Sequence, residues 1–168
     1  MSFETTEKPI TEPNYFEGNQ WELPTDIGLV DKAEERFKLR LLEIGWEEDA
    51  DWLATSFGEA LINAIVHGNL GVKEKPEAES WRQTALRVQQ EKPSAKKVFV
   101  SFSITPERIS VTIRDEGNGF VVNEIIDPTK PEVILKPSGR GFPFMRTFFD
   151  SVVHNEKGNE VTMEKTKH

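Results

Sequence analysis

The sequence predicts an α+β fold, a two-layer α/β sandwich whose mixed, mostly antiparallel sheet carries helices on one face. Three observations lead there. Apolar residues recur at helical spacing in two stretches of the first half. The period then changes to alternation in two runs joined by a short turn, and a second alternating pair closes the chain. At 168 residues the chain is the size of one domain with one core. It shows neither an internal repeat nor a second domain, so residues 1–18 read as a polar N-terminal tail and 19–168 as the domain.

The elements follow in order. Residues 19–23 suit a short edge strand closed by Pro24. Thr25 or Asp26 can cap a helix reaching about Glu43, with Leu29, Val30, Ala33, Phe37 and Leu41 on one face and Gly45 at its end. A second helix, capped near Asp49 or Asp51, carries Leu53, Phe57, Ala60, Leu61, Ala64 and Ile65 as a buried stripe, and Gly68 is expected to stop it. Residues 71–97 are charged, with Pro76 and Pro93 bracketing a short helix around 81–90. Residues 98–104 and 109–113 alternate as strands about the turn Thr105-Pro-Glu-Arg108. Past a glycine-rich corner and a long irregular segment come a helix at about 142–149 and a hairpin of 151–155 with 160–165. The four tryptophans read as packing residues, with Trp46 and Trp52 flanking a loop that could form a dimer edge.

Composition narrows the function classes. Hydrophobic residues at 36% and charged residues at 30% describe a soluble globular chain rather than a disordered one. No apolar run approaches the roughly 18 residues that span a bilayer, and the N-terminal stretch lacks an apolar export signal. The absence of cysteine leaves neither a disulfide framework nor a thiolate metal site, which is compatible with a cytoplasmic protein. A formal net charge of −8 argues against a nucleic-acid surface. A phosphorylated ligand would therefore depend on a divalent cation and backbone N–H groups for much of its positive field.

Three motifs carry chemistry. Glu59-Ala-Leu-Ile-Asn63-Ala-Ile-Val-His67-Gly68 places Glu59, Asn63 and His67 four apart, along one line beside the apolar stripe. A carboxylate there can take a proton from a hydroxyl, and an amide oxygen suits Mg²⁺. The same pattern also fits an ordinary amphipathic helix. Arg114-Asp115-Glu-Gly117-Asn-Gly119-Phe120 follows a strand. Its glycines let the backbone approach a flat ligand, and its Asp can accept from an exocyclic amino group; a plain strand-ending turn has the same composition. Ser138-Gly139-Arg140-Gly141-Phe-Pro-Phe-Met145-Arg146 opens a helix whose first N–H groups suit an anion, or is simply a flexible helix entry.

In their order and context the three resemble the N, G1 and G2 boxes of the Bergerat (histidine-kinase-like) ATPase superfamily. Gly158-Asn159-Glu-Val161-Thr162-Met163 is similar to the closing strand of that group, so the resemblance runs from about residue 21 to 165. Within the superfamily, Glu-Ala-Leu-x-Asn-Ala-x-x-His-Gly on a short, freestanding chain is most similar to the anti-sigma-factor serine/threonine kinases. The resemblance implies Glu59 as general base, Asn63 as the Mg²⁺ ligand and Asp115 as the adenine contact. It implies that Gly117 and Gly119 shape the adenine pocket, that Gly139 and Gly141 pass the phosphates, and that Thr162 supports the adenine end. Residues 120–138 would be the ATP lid, with Arg140, Lys136 and Lys130 as candidate contacts for phosphate or partner, or as ordinary surface cations.

The implied activity is transfer of the ATP γ-phosphoryl group to a serine or threonine of a STAS-domain anti-anti-sigma protein. A sigma factor would be a second partner, and the chain would be a homodimer. A non-catalytic, ATP-switched binding module of the same fold is the alternative. A detached histidine-kinase domain is a lesser one, since no accepting helix is supplied by His67, His154 or His168. The 71–97 stretch is longer than the family's usual connection, and Pro137 sits where some members place an arginine.

Overall fold

The computed structural model describes residues 14–119 and 142–167. Five strands form one sheet: β1 (Gln20–Pro24), β2 (Lys97–Ile104), β3 (Arg108–Arg114), β4 (Ser151–His154) and β5 (Glu160–Thr166), in the order β1-β2-β3-β5-β4. Every pairing among them is antiparallel, which is more regular than the mixed sheet expected from the sequence. Because β5 lies between β3 and β4, the chain that leaves β3 must cross over before it returns as a hairpin.

Alternation in the strands sorts their two faces. Val98, Val100 and Phe102 of β2, Ile109, Val111 and Ile113 of β3, and Val161 and Met163 of β5 are buried under the helices. The intervening residues form a polar outer face, where the Thr112 and Thr162 hydroxyls meet at 2.9 Å and the Arg114 guanidinium lies over Phe99.

Among the described residues, the helical layer consists of α1 (Val30–Glu43), α2 (Ala50–Asn63), α3 (Trp81–Glu91) and α4 (Phe142–Phe148). Asp26 caps a short 3₁₀ turn, Ile27–Leu29, by accepting from Gly28 N–H at 2.9 Å, so α1 proper begins a turn later than the cap suggests. Phe37 of α1 stacks on Phe57 of α2 at 4.4 Å, and Trp21 of β1 sits edge-on to both Phe57 and Phe102. Each such ring contributes roughly 2–3 kcal/mol by leaving water, and together they lock both helices to the β1–β2 edge.

Three sequence expectations change. Phe16 is buried edge-on against Trp21, so packing begins inside the stretch read as tail; two adjacent aromatics, Tyr15 and Phe16, in a polar segment have no period to betray them. Gly68 does not stop α2, which continues as a π turn, Ala64–Asn69, with Leu70 N–H donating to the Ile65 carbonyl at 2.9 Å. Trp46 is a core residue whose indole N–H donates to Thr105 O at 2.7 Å, whereas Trp52 is 53% exposed and stacked on Phe148.

The short helix of the charged stretch is α3, and its start is fixed by a capping box. Gln83 N–H donates to Ser80 Oγ at 3.1 Å, and Ser80 N–H donates to Gln83 Oε1 at 2.8 Å. Gln89 then ties the helix to the head of α1, accepting from Ile27 N–H and donating to Asp26, both at 2.9 Å.

Candidate functional site

A cavity of about 450 Å³ opens between the π turn that ends α2, the corner after β3, α4, the β4–β5 turn and the 71–97 segment. Its polar end is built by Asp115. Where β3 ends, the chain turns at Asp115, and Gly117 N–H donates to the Asp115 carboxylate at 2.8 Å. Asp115 is 8% exposed, and this burial pushes its carboxyl up to about 6 against the opposing pull of the Gly117 N–H and the charges of Lys157, Lys96 and Arg114.

Two close approaches make that corner. A Cβ on Gly68 would collide with the Asp115 carboxyl group, and one on Gly117 would collide with the Gly68 carbonyl. Glycine at 68 is thus required by the contact between the π turn and the corner, not by a helix end. Gly119, at φ +80°, lies against the Lys157 carbonyl with the same consequence for any side chain.

Asn69 joins these pieces. It is 5% exposed, and its amide oxygen accepts from Glu116 N–H at 2.8 Å. Its nitrogen donates to Thr25 Oγ1 and to the Lys97 carbonyl, at 2.9 and 3.0 Å. The end of the α2 helix, the residue after Asp115 and the start of β2 are therefore held through one side chain.

The residues singled out in the sequence that line this cavity include Asn63, His67, Gly68, Asp115 and Gly119; Gly117 is not among them. His67 is also satisfied as a helix-end histidine, with Nδ1 2.7 Å from Val72 O and its ring edge-on to Trp81 at 4.5 Å. Glu59 stands one turn before Asn63, half-buried and outside the cavity lining. Burial raises its carboxyl, opposed by the charge of Arg82. Gly139, Arg140 and Gly141, together with Lys130, Lys136, Pro137 and the expected lid, lie outside the described residues.

Thr162 does not belong to the cavity. Strand alternation turns its hydroxyl to the outer face, onto Thr112. Asn159, three residues earlier, is at the cavity instead. Asn159 Nδ2 donates to the Asp115 carbonyl and Asp115 N–H donates to the Asn159 carbonyl, both at 2.9 Å. Counting alternation back from Met163 into the turn would have found it.

His154 was also missed as a wall residue; burial, aided by the charge of Arg146, lowers its imidazole to about 4. The 71–97 segment contributes a wall too, through Val88, Lys92 and Lys96.

The arrangement can seat a flat, amino-bearing ring against a buried carboxylate, with a neutral amide oxygen at Asn63 on another wall. An adenine nucleotide has these features, and the Asn63 amide oxygen is of the type that could hold a Mg²⁺.

Residues 40–165 match the histidine kinase-like ATPase domain family. Three anti-sigma F factors illustrate the chain's similarities. That of Clostridium perfringens is 33% identical over 125 residues, covering 70% of this chain and 73% of the relative. That of Anoxybacillus flavithermus is 34% identical and that of Bacillus subtilis 31%, each over 121 residues and covering 69% of this chain and 67% of the relative. Among the described residues, no helix is long and apolar enough to cross a membrane.

Proposed function

Since this chain belongs to the histidine kinase-like ATPase family, in its anti-sigma-factor kinase branch, we propose that it is an ATP-dependent protein serine/threonine kinase. Its substrate would be a STAS-domain anti-anti-sigma protein, its regulatory target a sigma factor, and its setting the cytoplasm, as a homodimer. The supporting observation is Asp115, a buried carboxylate held by its own corner at the wall of a cavity that also receives Asn63.

In this reading Asp115 accepts from the adenine amino group, while Gly117 and Gly119 keep side chains out of the corner so that its backbone folds tightly. Asn159 takes the supporting place at the adenine end that the sequence assigned to Thr162. Gly139 and Gly141 would run beside the phosphates, with Arg140 adding charge. Asn63 would hold Mg²⁺, which would supply neutralisation of oxygen charge.

The partner's hydroxyl oxygen bonds to the γ-phosphorus as the bond from that phosphorus to the β,γ-bridging oxygen breaks. Phosphoserine or phosphothreonine forms and ADP leaves. Glu59 accepts the hydroxyl proton. Its place outside the cavity wall suits a base that meets the incoming partner rather than the nucleotide. The same place is what an ATP-switched binding module without transfer would also show.

The two readings separate by intact mass. Purified chain, Mg-ATP and a STAS-domain protein are followed over time, with wild type and Glu59→Gln. A one-phosphate gain on the partner with wild type, reduced at least about a hundredfold by E59Q while ATP affinity holds, is the expected result. Undiminished transfer by E59Q removes Glu59 as base, and ATP-sensitive association without any transfer favours the binding module.

A further inference from the structure

The cavity has an acidic side and a basic side. Its carboxylates, Asp115 and Glu160, stand at the end of β3 and the start of β5. Its lysines, Lys73, Lys92 and Lys96, all belong to the 71–97 segment, and among the described residues no lysine or arginine from elsewhere lines it. Six lysines and arginines lie between residues 72 and 96, and they divide in two. Those away from the cavity are engaged: Arg82 pairs with Asp31 at 3.0 Å, Arg87 pairs with Glu79 at 2.9 Å, and Lys75 lies over the Trp81 ring at 5.6 Å. The three that line the cavity are exposed, and among the described residues their side chains have neither an ion pair nor a hydrogen bond.

Their backbones, by contrast, are fixed. Val72 N–H donates to the Val66 carbonyl at 2.9 Å and Val72 O meets His67 Nδ1 at 2.7 Å, which roots Lys73 beside His67, one turn past Asn63. Lys92 N–H donates to the carbonyl of Val88 at 2.8 Å, and Val88 is itself in the wall. The Lys96 carbonyl accepts from Thr25 Oγ1 at 2.6 Å, and that hydroxyl accepts from Asn69, the side chain that also holds the residue after Asp115. Three mobile cationic heads are thus rooted at fixed points around one cavity.

We propose that the 71–97 segment is a phosphate-binding wall, whose Lys73, Lys92 and Lys96 close on the polyphosphate of the nucleotide while its ring lies at Asp115. The inference rests on the nucleotide reading above and deepens it with ligands from a segment that no motif covers.

A formal net charge of −8 repels a polyphosphate at long range, so its capture needs a local reversal of sign. A flat, amino-bearing ring has no use for three cations, whereas a polyphosphate does. An ammonium on a four-carbon stem suits the task, since it acts as a point charge that can follow the phosphate oxygens. Lys73, rooted nearest to Asn63, is expected to carry the largest share.

The experiment uses the full chain as wild type, K73Q, the triple variant K73Q/K92Q/K96Q and the triple variant K73R/K92R/K96R. The three side chains are exposed, so every variant is expected to melt within about 2 °C of wild type. Affinities for Mg-ATP and for adenosine are measured by calorimetry at about pH 8, where Asp115 is ionised with or without Lys96 beside it. The triple glutamine variant is expected to lose about tenfold or more in ATP affinity at low salt, to lose less at about 0.5 M salt, and to bind adenosine within about twofold of wild type. K73Q alone is expected to lose about threefold, and the triple arginine variant to stay within about twofold of wild type. Unchanged ATP affinity in the triple glutamine variant overturns the inference and leaves the kinase reading standing. An equal loss for ATP and adenosine also overturns it, because a distorted cavity then accounts for both. A wild type that binds no ATP removes the inference and the nucleotide reading together. The expected loss of ATP affinity, with no transfer by wild type to a STAS-domain protein, supports the wall and refutes the kinase reading alone.

Discussion

At Gly68, Gly117 and Asp115 two distant stretches of chain meet at backbone distance, and the carboxylate at the cavity is held by that meeting. Gly68→Ala forces a methyl group into the Asp115 carboxyl. Either the carboxyl leaves its position or the π turn lifts from the corner. The expected cost is about 1–3 kcal/mol in stability, read by denaturant unfolding. A loss of ATP affinity of at least about tenfold, read by calorimetry, is expected with it. Unaltered affinity would show that Asp115 does not contact the base. The sequence pointed to Asp115, Gly117 and Gly119 because a strand-ending Asp-x-Gly-x-Gly is a local pattern. Gly68 was misread as a helix stop because its partner is remote in sequence, and Thr162 was misplaced because a motif count does not say which face of a strand a residue takes.

Among the elements, α3 has the greatest bearing on the site for the least sequence signal. Pro76 and Pro93 bracket it, and the helix buries Thr84 and Ala85, yet the polar and ring contacts that tie it to α1 and the π turn are single pairs: Trp81 to His67, Arg82 to Asp31, Gln89 to Ile27 and Asp26. Such pairs leave no periodicity. They also make the helix start decisive, since Ser80 sets the rotation from which those side chains project. Ser80→Ala removes one half of the capping box and leaves Gln83 N–H without its acceptor. A loss of about 1 kcal/mol is expected, confined to faster amide hydrogen exchange in α3 and in residues 27–29, with β2 and β3 unaffected. Exchange rising across the whole sheet would mean that α3 is part of the cooperative core. The strands were legible throughout, because alternation against a single helical layer is written directly into apolar and polar positions.

For the whole molecule, the two strongly shifted groups at the cavity act on stability in opposite directions. Asp115 holds its proton up to about 6 when folded, against a usual 3.8, so its contribution falls as pH rises from about 4 to about 6. His154 sheds its proton down to about 4, against 6.5, so its contribution rises as pH rises from about 4 to about 6.5. In the nucleotide-free protein the two offset one another. Relative to wild type, Asp115→Asn is expected to gain about 2 kcal/mol between these limits, and His154→Gln to lose its relative advantage by a similar amount. Urea unfolding at about pH 4.5 and about pH 6.5 reads both differences, and parallel slopes in all three proteins would remove the shifts from the account. An amino group donated to Asp115 favours its ionised form, so ATP affinity should also rise from about pH 5 to about pH 7. Neither group stands out in the sequence as shifted, since the burial responsible is a product of the assembled walls.

The π turn gives α2 two angular phases. Up to Asn63 each residue advances about 100°, and the wider turn that follows delays the advance, so that Asn63 looks into the cavity while Asn69 meets the Glu116 amide. A uniform helix could satisfy one appointment and miss the other. The stretch between the two asparagines therefore tolerates changes of residue far better than changes of number: one deletion there would rotate Asn69 out of reach of three partners at once, with every motif residue still present in the sequence.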